Sequence, residues 1–114
     1  MNNQKNDAYY VQKILTDLHF IVKHMDGISV QALEENEVLL DSMMFRLIQV
    51  QENTKKLTDA YKMAHDDIPW KDIAGLRNRI VHDYGNVDLD VIYTTLTKDI
   101  PWLVGQFEVK ELFS

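Results

Sequence analysis

The chain has no cysteine, which excludes a disulfide framework, a thiol nucleophile and any thiolate zinc site, and which suits a reducing compartment. Only two prolines and four glycines interrupt its 114 residues, a composition suited to long helices rather than to a turn-rich all-β fold. Positive charge is scarce as well, since 12 Lys and Arg against 18 Asp and Glu leave a net charge of -6. Proteins that coat nucleic acid by bulk electrostatics need many basic groups to neutralise phosphates, so any nucleic-acid role here must be local. No uncharged run approaches the ~20 apolar residues of a membrane span, and the polar opening from Met1 to Asp7 lacks the apolar stretch of a secretion signal. A cytoplasmic protein without membrane anchoring is therefore expected.

The length suits one domain spanning residues 1–114, with a core large enough to fold without staples. Val11, Ile14, Leu15, Leu18, Ile21, Val22 and Met25 recur at helical spacing and predict a helix over Asp7 to Met25, with Asp7 as its cap and Gly27 as its stop. A short helical turn from Ser29 to Glu35 precedes a second apolar series: Val38, Leu39, Met43, Met44, Leu47, Ile48, Gln51, Leu57 and Tyr61. That series predicts a long helix reaching Ala64. Pro69 suits a first helical position, which predicts a third helix to Asp83, ended by Gly85 and Asn86. A last helix after Asp88 carries Val91, Ile92, Leu96 and Ile100, and Pro101 should kink it before Leu103, Val104 and Phe107. Connections this short predict an all-α, up-and-down four-helix bundle with a kinked C-terminal helix. Met43 and Met44 read as core filler or as a dimer seam.

Residues Arg77 to Tyr84 read Arg-Asn-Arg-Ile-Val-His-Asp-Tyr, the densest gathering of phosphate-capable groups in the chain. A guanidinium, an imidazole and a phenol together can bind a phosphodiester and move its protons. On a helical wheel at ~100° per residue with Ile73 at zero, Arg77 falls at about 40° and Tyr84 at about 20°, inside the apolar arc. Asp72, Arg79 and Asp83 cluster near roughly 260°, the solvated side. Asn78 and His82, four apart, stack as neighbours at the arc's other margin. An ideal helix separates Arg77 from His82 by roughly 140° around the axis and ~7.5 Å along it. Either Arg77 curls along the helix, or the helix loosens near Gly85 so that His82 and Tyr84 swing toward the guanidinium.

The octet, led by Asp67-Ile68-Pro69-Trp70-Lys71-Asp72-Ile73-Ala74-Gly75-Leu76 and followed by Asp88-Leu89, resembles the HEPN domains. It is closest to their HepT-like branch, small helical toxins paired with a minimal nucleotidyltransferase antitoxin. The likeness runs along essentially the whole chain. An isolated Arg-x4-His pair is a weak signal, which the Ile-Pro-Trp lead-in and the tyrosine strengthen. The resemblance implies a metal-independent endoribonuclease acting from a homodimer, needing no cofactor, with RNA as substrate. Carried over residue by residue, Arg77 holds the scissile phosphate, His82 is the general base or acid near the 2'-hydroxyl, and Asn78 orients the imidazole or donates to the phosphate. Tyr84 corresponds to the acceptor of AMP groups that the antitoxin adds to silence the toxin.

From the residues alone, other readings stay open. Arg77 would serve as well as a structural partner of an acidic residue such as Glu52. A histidine near a helix C-terminus is favoured there by the dipole, and Tyr84 would suit a core with a wet hydroxyl. The alternative function is a non-catalytic nucleotide- or substrate-binding subunit of a nucleotidyltransferase complex. His19 and His24 lie five apart, not the four that puts two imidazoles on one face, so they and His65 read as surface residues rather than metal ligands. With no Gly-rich phosphate loop, the chain does not read as the nucleotidyltransferase itself.

Overall fold

A computed structural model describes residues 6–75 and 88–113, with side chains to Val109, and contains no strand among them. Helix α1 spans Asp7–Met25, the range that its apolar spacing predicts. The cap lies one residue earlier than expected: the Asn6 side chain accepts from the Tyr9 N–H at 3.0 Å. Gly27 stops the helix with φ of 73°, a left-handed conformation that costs other residues more. Val11, Ile14, Leu18 and Ile21 are fully buried, which makes α1 the centre of the core. It packs against α3, Glu37–Lys55, on one side and α7, Ile100–Phe113, on the other. Met43 and Met44 are both buried in that core, so they fill it rather than form a seam.

Helix α2, Val30–Glu35, is the short turn expected after Ser29, whose hydroxyl caps it at the Ala32 N–H. The long helix expected from there to Ala64 is in fact two. Helix α3 ends at Lys55, and a separate helix, α4, spans Asp59–Ala64. Thr58 makes the break: its hydroxyl caps the Tyr61 N–H at 3.1 Å, while the Asp7 carboxylate accepts from its N–H at 2.9 Å and its hydroxyl at 2.7 Å. Leu57 turns inward between them and is buried. Val38, counted in the apolar series, is 81% exposed, because it lies opposite Leu47, ~180° around α3.

Where a kink at Pro101 is expected, α7 runs on through the proline, and the irregularity is a π-helical turn, Thr95–Asp99, between α6 (Leu89–Thr94) and α7. There the Ile100 N–H reaches back five residues to the Thr95 carbonyl, a wide turn that ends just before the proline. A proline lacks the N–H of a regular helix and crowds the carbonyl four residues back, and inserting one extra residue per turn is a recognised response to such misfits.

One ion pair ties α1 to α3. The Arg46 guanidinium donates to Asp17 at 2.7 Å and lies 3.8 Å from the centre of the Phe20 ring. The Asp17 side chain keeps 9% of its surface and that of Arg46 27%, so removing the cation strands a nearly buried carboxylate. Arg46→Met is expected to cost about 3 kcal/mol, the low end for breaking a buried pair because Arg46 is partly solvated. Urea unfolding measures it, and Arg46→Lys should recover part of the loss.

Candidate functional site

The lead-in to the octet is a built anchor. Ile68 is buried, and the Ile73 N–H donates to the Pro69 carbonyl at 3.1 Å, which makes Pro69 the cap of a helical segment at 70–75, here α5. Trp70 fixes this start from two directions. Its indole N–H donates to the carbonyls of His65 at 3.1 Å and Lys62 at 3.2 Å, closing the last turn of α4 against α5. Its ring stands edge-on to Phe107 of α7 at 6.0 Å and to Tyr61 at 6.3 Å. Such edge contacts add to the area that an aromatic ring buries. The beginning of α5 is therefore bolted to two other helices.

The far side is pinned as well. Asp88 caps α6 by accepting from the Asp90 N–H at 2.9 Å, and Ile92, whose N–H bonds to the Asp88 carbonyl, is 1% exposed. Between these two anchors stand Arg77, Asn78, His82 and Tyr84, all of which lie outside the described residues. So does the Arg77 partner of the suggested pair with Glu52, a half-buried residue of α3. The third helix beyond Gly75 and its stop at Gly85 fall outside as well.

The other three histidines have structural surroundings. His19 meets Glu108 of α7 at 2.7 Å, with both side chains about half exposed. His24 rests against Phe20 and His65 against Tyr61, with ring centres 4.2 and 4.3 Å apart. Lys62 and Lys71 line a shallow cleft beside Trp70, but Asp59, Asp66 and Asp72 line it too, so it offers phosphate no net attraction. That cleft is therefore not a basic track for RNA.

A family profile described as Ribonuclease HepT-like matches residues 14–109. The chain belongs to the HepT-like family. The matched stretch holds the whole octet and both of its anchors. A candidate RNase of Caldanaerobacter subterraneus subsp. tengcongensis is 33% identical over 108 residues, which cover 95% of each chain. The Probable ribonuclease HepT of Thermococcus cleftensis is 39% identical over 57 residues, 50% of this chain and 52% of that one. A candidate RNase of Methanocaldococcus jannaschii is 24% identical over 105 residues, 90% of each chain. No solved structure gives a significant match. This HepT-like chain accordingly has the helical fold and the Ile-Pro-Trp lead-in that the sequence suggested. Sequence reasoning did not single out the lead-in tryptophan as the bolt of α5, although a tryptophan beside a helix-starting proline, ahead of the motif, was a visible signal.

Proposed function

We propose that the chain is a metal-independent endoribonuclease whose chemistry is carried by Arg77 and His82. The observation that supports this most is the family match over 14–109, a stretch that includes Arg77-Asn78 and His82-Asp83-Tyr84. His82 takes the proton of a ribose 2'-hydroxyl, whose oxygen then attacks the neighbouring phosphorus. The bond from phosphorus to the 5'-oxygen breaks, and that oxygen leaves with a proton. The products are a 2',3'-cyclic phosphate and a 5'-hydroxyl. Imidazole titrates near neutrality and suits both proton transfers, while the guanidinium stays charged and offers two parallel donors to the phosphate oxygens. Asn78 orients the imidazole or adds a donor to the phosphate. A homodimer that faces two octets across one cleft would lend the acidic chain a locally doubled set of arginines.

Incubating RNA with wild type and with His82→Ala in the presence of chelator tests the reading. Wild type is expected to cleave, and the variant to lose about 10²–10⁴ of the rate, the usual contribution of a placed acid or base. Equal RNA survival with both proteins overturns it.

Tyr84 supplies the regulation in this reading. The phenol oxygen attacks the α-phosphorus of ATP held by a partner nucleotidyltransferase, pyrophosphate leaves, and AMP stays on the tyrosine. The added phosphates occupy the place of the RNA phosphate beside Arg77 and His82. Co-expression with the partner should raise the intact mass by whole multiples of AMP, and Tyr84→Phe should abolish the increment. An unchanged mass for wild type removes Tyr84 as acceptor.

A further inference from the structure

A cleft of about 310 Å³ opens between α3, the start of α5, the π turn and α7. Leu47, Val50 and Ile73 are buried lining residues, and Trp102, 47% exposed, stands at its edge. Among the described residues the charged groups that line it are both acidic, Asp72 and Asp99. A second hollow of about 300 Å³ shares Thr95 and Asp99 with the first and adds Asp90 and the exposed Val91. The two form one trough along the π turn, which among the described residues is lined by two exposed apolar side chains, three carboxylates and no Lys or Arg. Among the described residues none of the three carboxylates is in an ion pair.

We infer that this trough docks a basic amphipathic segment of a partner protein, one bulky apolar side chain seated against Trp102 and neighbouring Lys or Arg on Asp72, Asp90 and Asp99. Charge decides the occupant. RNA and anionic lipid carry the sign that Asp72, Asp90 and Asp99 repel, and a second copy of the chain brings a net charge of -6. A basic segment gains from the carboxylates and, through the indole face, from a cation laid on an aromatic ring. The first hollow lies at the small end of ligand pockets, ~300–1,000 Å³, which fits one anchoring side chain with the rest of the segment along the rim. An exposed tryptophan beside an apolar floor is the residue type that most often carries such contacts. The π turn shapes the trough, since Thr95 and Asp99, its first and last residues, both line it, and π turns recur at functional positions. Asp72 and Ile73 also precede Arg77 by five and four residues, so the docked segment touches the helical segment that leads into the octet.

Panning a random dodecapeptide phage library against the whole chain at low salt tests this. The enriched peptides should carry an aromatic or aliphatic anchor with two or more Lys or Arg within about one helical turn. Synthesised, the best of them should bind wild type saturably and bind the double variant Asp72→Asn with Asp99→Asn at least tenfold more weakly. Trp102→Ala should weaken it similarly. Circular dichroism should show both variants folded, as expected for exposed positions. Peptides enriched without basic residues, absence of enrichment, or equal binding by the folded variants overturns the inference. Self-association of the chain that Trp102→Ala abolishes also overturns it, in favour of a second copy.

Discussion

Arg77→Ala should lower kcat/KM for RNA cleavage by about 10²–10³, the loss usual when a donor aimed at developing charge is removed from an oxyanion site. Arg77→Lys should restore only a minor part, because an ammonium keeps the charge but not the two-pronged geometry. Thermal unfolding separates this from a structural role. If Arg77 mainly paired a carboxylate of a neighbouring helix such as Glu52, Arg77→Ala would lower the midpoint of unfolding and Arg77→Lys would largely restore both stability and activity. In the catalytic account the midpoint moves little and activity collapses.

Trp70→Ala should lower both stability and cleavage. It removes a half-buried indole from contact with Phe107 and Tyr61 and strips the His65 and Lys62 carbonyls of their shared donor. Truncating a buried aromatic costs ~3–5 kcal/mol, and partial exposure puts this case at about 3 kcal/mol. For a chain of this size that lowers the unfolding midpoint by roughly 10–20 °C. Cleavage should also fall at temperatures where the variant is folded, because α5 loses its bolt seven residues before Arg77 and small misplacements of a reacting group cost rate steeply. Trp70→Phe keeps the ring and loses only the N–H, so it should cost about a third as much. Lys71→Ala, beside it but exposed, should change neither quantity.

The sequence made some elements legible because their causes are local. The apolar spacing from Val11 to Met25 and a glycine with positive φ set the ends of α1, and Ser29 caps α2 as its side chain suggests. The break after Lys55 was hidden because its cause is distant: Asp7, 51 residues away in the chain, holds Thr58 and lets Leu57 turn inward. Helical periodicity sees neighbours three and four residues apart, and so it ran α3 and α4 together. The π turn was not legible, since Pro101 suggested a kink after it rather than a wide turn over Thr95–Asp99. The trough was not legible at all, because Leu47, Asp72, Asp99 and Trp102 come from four separate segments, and only packing brings them to one wall.

The site divides in the same way. Residue type pointed to the octet as a whole, the resemblance assigned roles to Arg77, Asn78, His82 and Tyr84, and family membership rests on the match over residues 14–109. What the structure adds is the frame: Trp70 and Ile68 before the octet, Asp88 and Ile92 after it, and three other histidines already engaged elsewhere.

The most direct test is the mass of the fragments that the wild-type chain makes from a defined single-stranded RNA in excess chelator. The account predicts fragments ending in a 2',3'-cyclic phosphate, absent with His82→Ala and absent at any position where the 2'-hydroxyl is replaced by hydrogen. Intact RNA with wild type, or the same fragments at the same rate from His82→Ala, would contradict it.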